Sequence, residues 1–212
     1  MRSKFDEQLA QLNNQMIDMG HRIVDAISKS IEALENNNQE LARKIMENDT
    51  EIDHLQKIIE NTCFNLLIQQ QPVARDLRTV TAAMKMVTDM ERIGDHAADI
   101  SEMTILMGQN SHIKEISHIN KMASETVLML NHSIEAYVEK NIEKAQEVIS
   151  HDDVVDQLFT KSKKDIINMI LENPEEGEEW ADLLMTAKYF ERIGDHATNI
   201  AEWVIYSMKT FE

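Results

Sequence analysis

The sequence predicts an all-α protein built as two tandem up-down three-helix bundles, six helices related by an internal repeat. Three observations carry that prediction. The 212 residues contain only 5 Gly and 2 Pro, while 14 Met and many Leu, Ala, Glu, Lys and Gln supply side chains that lose little freedom in a helix. Apolar residues recur at spacings of three and four, as in Leu9, Leu12, Met16, Met19 and Ile23, then Ile27, Ile31 and Leu34, the stripe of a long amphipathic helix. The heptapeptide ERIGDHA, Glu91 to Ala97, returns at Glu191 to Ala197, 100 positions later.

The helices are read over 3–36, 38–70, 73–108, 112–140, 142–172 and 177–211. Asn36, Asn37 and Asn38 break the chain after the first helix, and Asn141 breaks it after the fourth. Pro72 and Pro174 open the third and sixth, since proline suits the start of a helix and not its interior. Gly108 closes the third helix and divides the chain into repeats 1–108 and 109–212. The duplication extends to the second and fifth helices: Asp49, Asp53 and Leu55 align with Asp152, Asp156 and Leu158 at an offset of 103. Short connections make neighbouring helices antiparallel.

Composition excludes several classes of function. Lys and Arg number 21 against 38 Asp and Glu, a net charge of -17 that repels phosphodiester backbones and anionic lipid, so nucleic acid is not expected as a partner. No run of 18 apolar residues and no signal-peptide pattern follows the first residues, which predicts neither membrane insertion nor export. The single cysteine, Cys63, cannot form an internal disulfide and reads as a small core residue in a reducing compartment.

The chemistry lies in paired acids. Residues i and i+4 share a helix face, so Glu91 with Asp95, Glu191 with Asp195, Asp49 with Asp53 and Asp152 with Asp156 form four carboxylate pairs. Glu91 and Asp95 continue the apolar stripe of Leu77, Val80, Met84 and Val87, and Glu191 and Asp195 continue that of Trp180, Leu184 and Ala187. Such a seam faces a neighbouring helix, and the neighbour carries the other aspartate pair, so four carboxylates converge in each half. Two like charges about 5.5 Å apart repel by roughly 3 kcal/mol at an effective dielectric near 20. Cations, protons or arginines must balance them. Mg, Mn, Fe or Zn ions would do so through oxygen ligands, with His96 and His196 as further candidates; Arg92 and Arg192 are the competing partners in a purely structural network.

Gly94 and Gly194 sit inside these helices, where glycine costs about 1 kcal/mol relative to alanine, so a neighbouring helix or a bound ion must approach closely. Glu51 with His54, and Glu115 with His118, match the Glu-x-x-His of di-iron oxidases, yet the repeat puts Val154 and Gln157 opposite the first pair. No Gly-rich phosphate loop or nucleophilic triad is present, so no catalytic residue is named and no enzyme is expected. His21, His112, His118, His132 and His151 are scattered and read as surface residues. A second apolar face, Met86, Ile93, Ala97 and Ile100, lies opposite the acids; one of the two apolar faces is expected to pack the bundle, leaving the other for a partner or a second copy.

The run Gln71 to Arg78 (QPVARDLR), followed by Met90 to Ala97 (MERIGDHA) and its second copy, resembles the PhoU family of phosphate-signalling regulators over essentially the whole chain. The resemblance implies metal ions or multinuclear iron or zinc clusters held by Asp49, Asp53, Glu91 and Asp95 in one half and Asp152, Asp156, Glu191 and Asp195 in the other. It further implies a cytoplasmic adaptor, expected as a homodimer. Such an adaptor restrains phosphate uptake and the starvation response by contacting the ATPase of the phosphate transporter and a membrane sensor histidine kinase. Asn199 stands where the first copy has Asp99, so the two sites need not bind equally.

Overall fold

The computed structural model describes residues 2–70, 74–108 and 117–209. Six α-helices account for nearly all of them: α1 (Arg2–Glu35), α2 (Gln39–Gln70), α3 (Ala74–Met107), α4 (Ser117–Glu139), α5 (Ile142–Glu172) and α6 (Gly177–Met208). Helices α1 to α3 pack on one another, as do α4 to α6, and α3 packs along α6 to join the halves. The expected division at 108/109 borders 109–116, which lie outside the described residues, as do Pro72 and the Arg75 side chain.

The breaks between helices follow from residue chemistry. After α1, Asn37 takes the left-handed conformation at φ 50°, and the Asn38 side chain accepts from the Leu41 amide to cap α2. The equivalent positions, 103 residues on, are Lys140 at φ 52° and Asn141, whose side chain accepts from the Lys144 amide to cap α5. Lys140, not Asn141, therefore carries the turn. Pro174 opens a short 3-10 turn, Pro174–Glu176, ahead of α6 instead of α6 itself. Gly108 sits at φ 55° just past α3, a conformation that costs glycine nothing.

Helices α3 and α6 run antiparallel, because Arg78 near the start of α3 donates to the Lys209 carbonyl beyond the end of α6 and lies over the Tyr206 ring. Across α1 and α4, the half-buried Tyr137 hydroxyl donates to Asn13 Oδ1 at 2.6 Å, and Gly20 leaves room for Ile134. The repeats are thus related by a pseudo-twofold axis that crosses α3 and α6 near their middles. One continuous core runs through both halves, with Leu12, Met16, Met86, Trp180 and Phe190 fully buried.

That antiparallel packing overturns the expectation that one apolar face of α3 stays free for a partner or a second copy. Val80 and Val87 of the first face and Met86, Ile93, Ala97 and Ile100 of the second are all fully buried, so both faces are used inside the chain. The central helices have neighbours on both sides, and each of their two apolar stripes has its own.

Candidate metal centre

The acidic pairs meet because α2 and α3 are antiparallel with Gly94 beside Ile52 and Asp49. That register sets Asp49 opposite Asp95 and Asp53 opposite Glu91. Asp49, Asp53 and Asp95, all half-buried, each present a carboxylate oxygen within 4.8 Å of the other two. A Cβ on Gly94 would lie 3.0 Å from Ile52 methyls and 3.5 Å from Asp49 Oδ1, so the neighbouring helix's side chains are what glycine admits here.

The charge is only partly balanced. Arg92 Nη1 donates to Asp95 Oδ2 at 2.9 Å, and Arg92 Nε lies 3.5 Å from Glu91, so the competing arginine is engaged from the outside. Glu91 stays near the three aspartates without joining them. Asp49 Oδ1 is buried and has no hydrogen-bond partner among the described residues. Burial, and then Asp95, Asp53 and Asp99, push the Asp49 carboxyl from 3.8 up to about 6. Burial and Asp95 likewise raise Glu91, opposed by Arg92. A cavity of about 110 Å³ opens on the α1 side of Asp49, lined also by Arg22, Lys29, Asn48 and Ile52.

The second half repeats the arrangement more loosely. Burial, then Asp156 and Asp195, raise Asp152 to about 6, and burial, then Glu191 and Asp156, raise Asp195. All four acids therefore interact, but no three-carboxylate group as tight as the first forms among the described residues. Asp156 and Asp195 are exposed where Asp53 and Asp95 are half-buried, and the Lys188 ammonium pairs with Glu191, one turn away, where the first repeat has Thr88. The difference between Thr88 and Lys188 at an offset of 100 was the available signal for the Lys188 pairing with Glu191. A Cβ on Gly194 would lie 3.3 Å from Asp152 Oδ1, so this glycine makes room for the acid itself.

The other candidates go elsewhere. Glu51 pairs with Arg22 at 3.0 Å and His54 is exposed, so this Glu-x-x-His does not enter the cluster, and Glu115 lies outside the described residues. His118 and His151 are not free surface residues, since they pair with Asp165 and Glu125, each at 2.7 Å, and tie α4 to α5. Cys63 is buried, and burial pushes its thiol up to about 12, as an inert core residue requires. His96 and His196 turn away from the acids toward the α3 and α6 contact, where Nδ1 of His96 donates to Asp99 and Nδ1 of His196 to Asp89. Burial holds the His96 imidazole below its ordinary range, opposed by Asp99.

A family model described as the PhoU domain matches residues 16–104 and again 119–204. The chain belongs to the PhoU family. A phosphate-specific transport system accessory protein PhoU homolog of Clostridium acetobutylicum is 37% identical over 206 residues, 97% of this chain and 94% of that protein. The Aquifex aeolicus homolog of the same description is 35% identical over 189 residues, 89% of this chain and 86% of its own length. Among solved structures, PhoU of Pseudomonas aeruginosa superposes with a TM-score of 0.93 at 26% identity, covering 96% of this chain and 98% of its own. A phosphate transport system regulatory protein PhoU from Streptococcus pneumoniae gives 0.88 at 28% identity, covering 96% of each chain. The duplicated three-helix unit is thus the PhoU architecture, and among the described residues no helix is long and apolar enough to cross a membrane.

Proposed function

We propose that the chain is a cytoplasmic, non-enzymatic, metal-binding negative regulator of phosphate uptake and phosphate-starvation signalling. It acts through contacts with the ATPase of the phosphate transporter and with a membrane sensor histidine kinase, as a homodimer. Its relatives are named accessory and regulatory proteins of phosphate transport, which supports the role. The observation that supports the metal is the buried, unpartnered Asp49 Oδ1 within a three-aspartate group. Oxygen donors of this kind suit Mg, Mn, Fe or Zn.

Asp49, Asp53 and Asp95 would hold the first ion, with Glu91 the nearest acid for a second in a multinuclear cluster. Asp152, Asp156, Glu191 and Asp195 would form a weaker site that opens when Lys188 releases Glu191. A bound divalent ion supplies the positive charge that three half-buried carboxylates lack. Because Asp49 and Asp53 come from α2 and Asp95 from α3, occupancy ties the two helices together, and repulsion among the acids loosens them without it. A second reading, a structural network without metal, draws on the Arg92 contact with Asp95.

The test uses the full chain in cells that lack their own copy, with a phosphate-starvation reporter and co-purification of the transporter ATPase. Wild type should silence the reporter in high phosphate and retain the ATPase. The triple variant Asp49→Asn, Asp53→Asn, Asp95→Asn should fold yet lose both. Equal silencing by the variant removes the Asp49, Asp53 and Asp95 cluster from the mechanism, and no silencing by either chain removes the regulatory role.

A further inference from the structure

The contact between α3 and α6 brings four polar groups into a row. Asp89 and His96 are seven residues apart on α3, about 10.5 Å of helix rise. His196 of α6 fills that interval: its Nδ1 is 2.8 Å from Asp89 Oδ1, and its ring centroid is 5.7 Å from that of His96. Beyond His96, its own Nδ1 is 3.0 Å from Asp99 Oδ2. The order along α3 is therefore carboxylate, imidazole, imidazole, carboxylate, with each acid on the outer side of its ring.

A carboxylate only accepts, so each Nδ1 carries its hydrogen outward and each Nε2 keeps its lone pair. Nε2 lies on the far side of the ring from Nδ1, so the order of the row, with each acid outermost, points to Nε2 atoms directed inward. With a metal–nitrogen distance of about 2.1 Å, and a ring centre about 1.15 Å further on, two imidazoles on one ion at about 110–120° have centroids about 5.3–5.6 Å apart, close to the observed 5.7 Å. A direct hydrogen bond between the two rings is not available, because neither Nε2 carries a hydrogen when each Nδ1 donates to its carboxylate. Orientation of a ligand imidazole by a carboxylate on its other nitrogen is the usual support of a histidine metal site. Asn199 adds to it by donating to Asp89 Oδ1 at 3.0 Å. Tyr189 covers His96 at 5.5 Å between ring centroids, and the His196 side chain is 23% exposed, which leaves a path from solvent.

We propose that His96 and His196 together bind one borderline divalent ion, of the class of Zn2+, Co2+, Ni2+ or Cu2+, through their Nε2 atoms. The site is separate from the oxygen clusters, prefers nitrogen-seeking ions, and links the two repeats across their pseudo-twofold axis. Asp89 and Asp99 are its positioning residues, and water completes the coordination.

The test is Zn2+ titration of the full chain carrying Asp49→Asn, Asp53→Asn and Asp95→Asn, with long-range 1H–15N spectra of the imidazoles. Two Nε2 resonances should move together at one equivalent of Zn2+ while their Nδ1 partners stay protonated. His196→Gln should weaken that binding by tenfold or more, and Asp89→Asn by a smaller factor, with helix content and melting unchanged. His196 is the better position because, unlike His96, it is partly exposed. No movement of the His96 and His196 Nε2 resonances with Zn2+, equal movement of the His96 resonance with and without His196, or movement only of His118, His132 or His151 would overturn the proposal. A water molecule donating to both Nε2 atoms would give the first of these results. Because the spectra read the imidazole nitrogens themselves, the outcome is independent of whether either acidic cluster binds metal.

Discussion

Asp49→Asn changes one atom of the cluster and should stabilise the metal-free protein. Burial and the neighbouring aspartates raise this carboxyl from 3.8 to about 6, worth about 3 kcal/mol at face value. Asp49 is only half-buried, so solvent screening reduces the figure to about 1 kcal/mol. The amide keeps the side chain's size and can donate to Asp53 or Asp95. A group whose folded value is raised contributes stability that is fully present below 3.8 and is lost as pH rises through about 6. The variant's advantage should therefore be absent near pH 3.5 and complete above pH 6.5. Urea denaturation in chelator at pH 7.5 should show a gain of about 1 kcal/mol, or a melting temperature about 2–4 °C higher for a chain of this size. Saturating Mn2+ should invert the order, since an ion at a hundred times its Kd adds about 2.7 kcal/mol to wild type and less to the variant. A variant that is less stable than wild type in chelator would refute the claim that the aspartates repel.

Other changes probe the surrounding framework. Lys188→Thr, which restores the residue type of the first repeat, should release Glu191 and raise the affinity of the second acidic cluster for Mn2+ at least several-fold, read by calorimetry. Gly94→Val places a branched side chain against Ile52, 3.0 Å from the site of its Cβ, and should cost about 1–3 kcal/mol in urea denaturation while also weakening metal binding. Tyr137→Phe removes the hydroxyl donated to Asn13 and should cost about 1 kcal/mol, measured the same way, if the contact of α1 with α4 contributes to joining the repeats.

Much of the architecture was legible because it depends on local chemistry. The stripe from Leu12 to Ile27 is buried as its spacing requires, and the asparagines around 37 and 141 stand at the breaks. The convergence of Asp49, Asp53 and Asp95 followed from two i, i+4 pairs on helices joined by a short connection. What the sequence did not reveal depends on the register between repeats. The antiparallel packing of α3 on α6 buries Met86 and Ile93, brings Asp89 to His196, and gives Asn199 a partner 110 residues away. None of these pairings leaves a periodic trace within one helix. The spacing of seven between Asp89 and His96, which places two polar groups on one side of α3, was the faint signal for the row they form. Lys188 was visible as a break in the repeat, but only the structure shows that it occupies Glu191.

The central claim is that Asp49, Asp53 and Asp95 form a cation site that ties α2 to α3. Mn2+ binding to the chelator-treated full chain, followed by electron paramagnetic resonance at pH 7.5, tests it most directly. Wild type should take up at least one tightly held ion per chain, and the protein with all three aspartates changed to asparagine should lose it while remaining folded. Equal uptake by the two proteins, or none by wild type, would contradict the account.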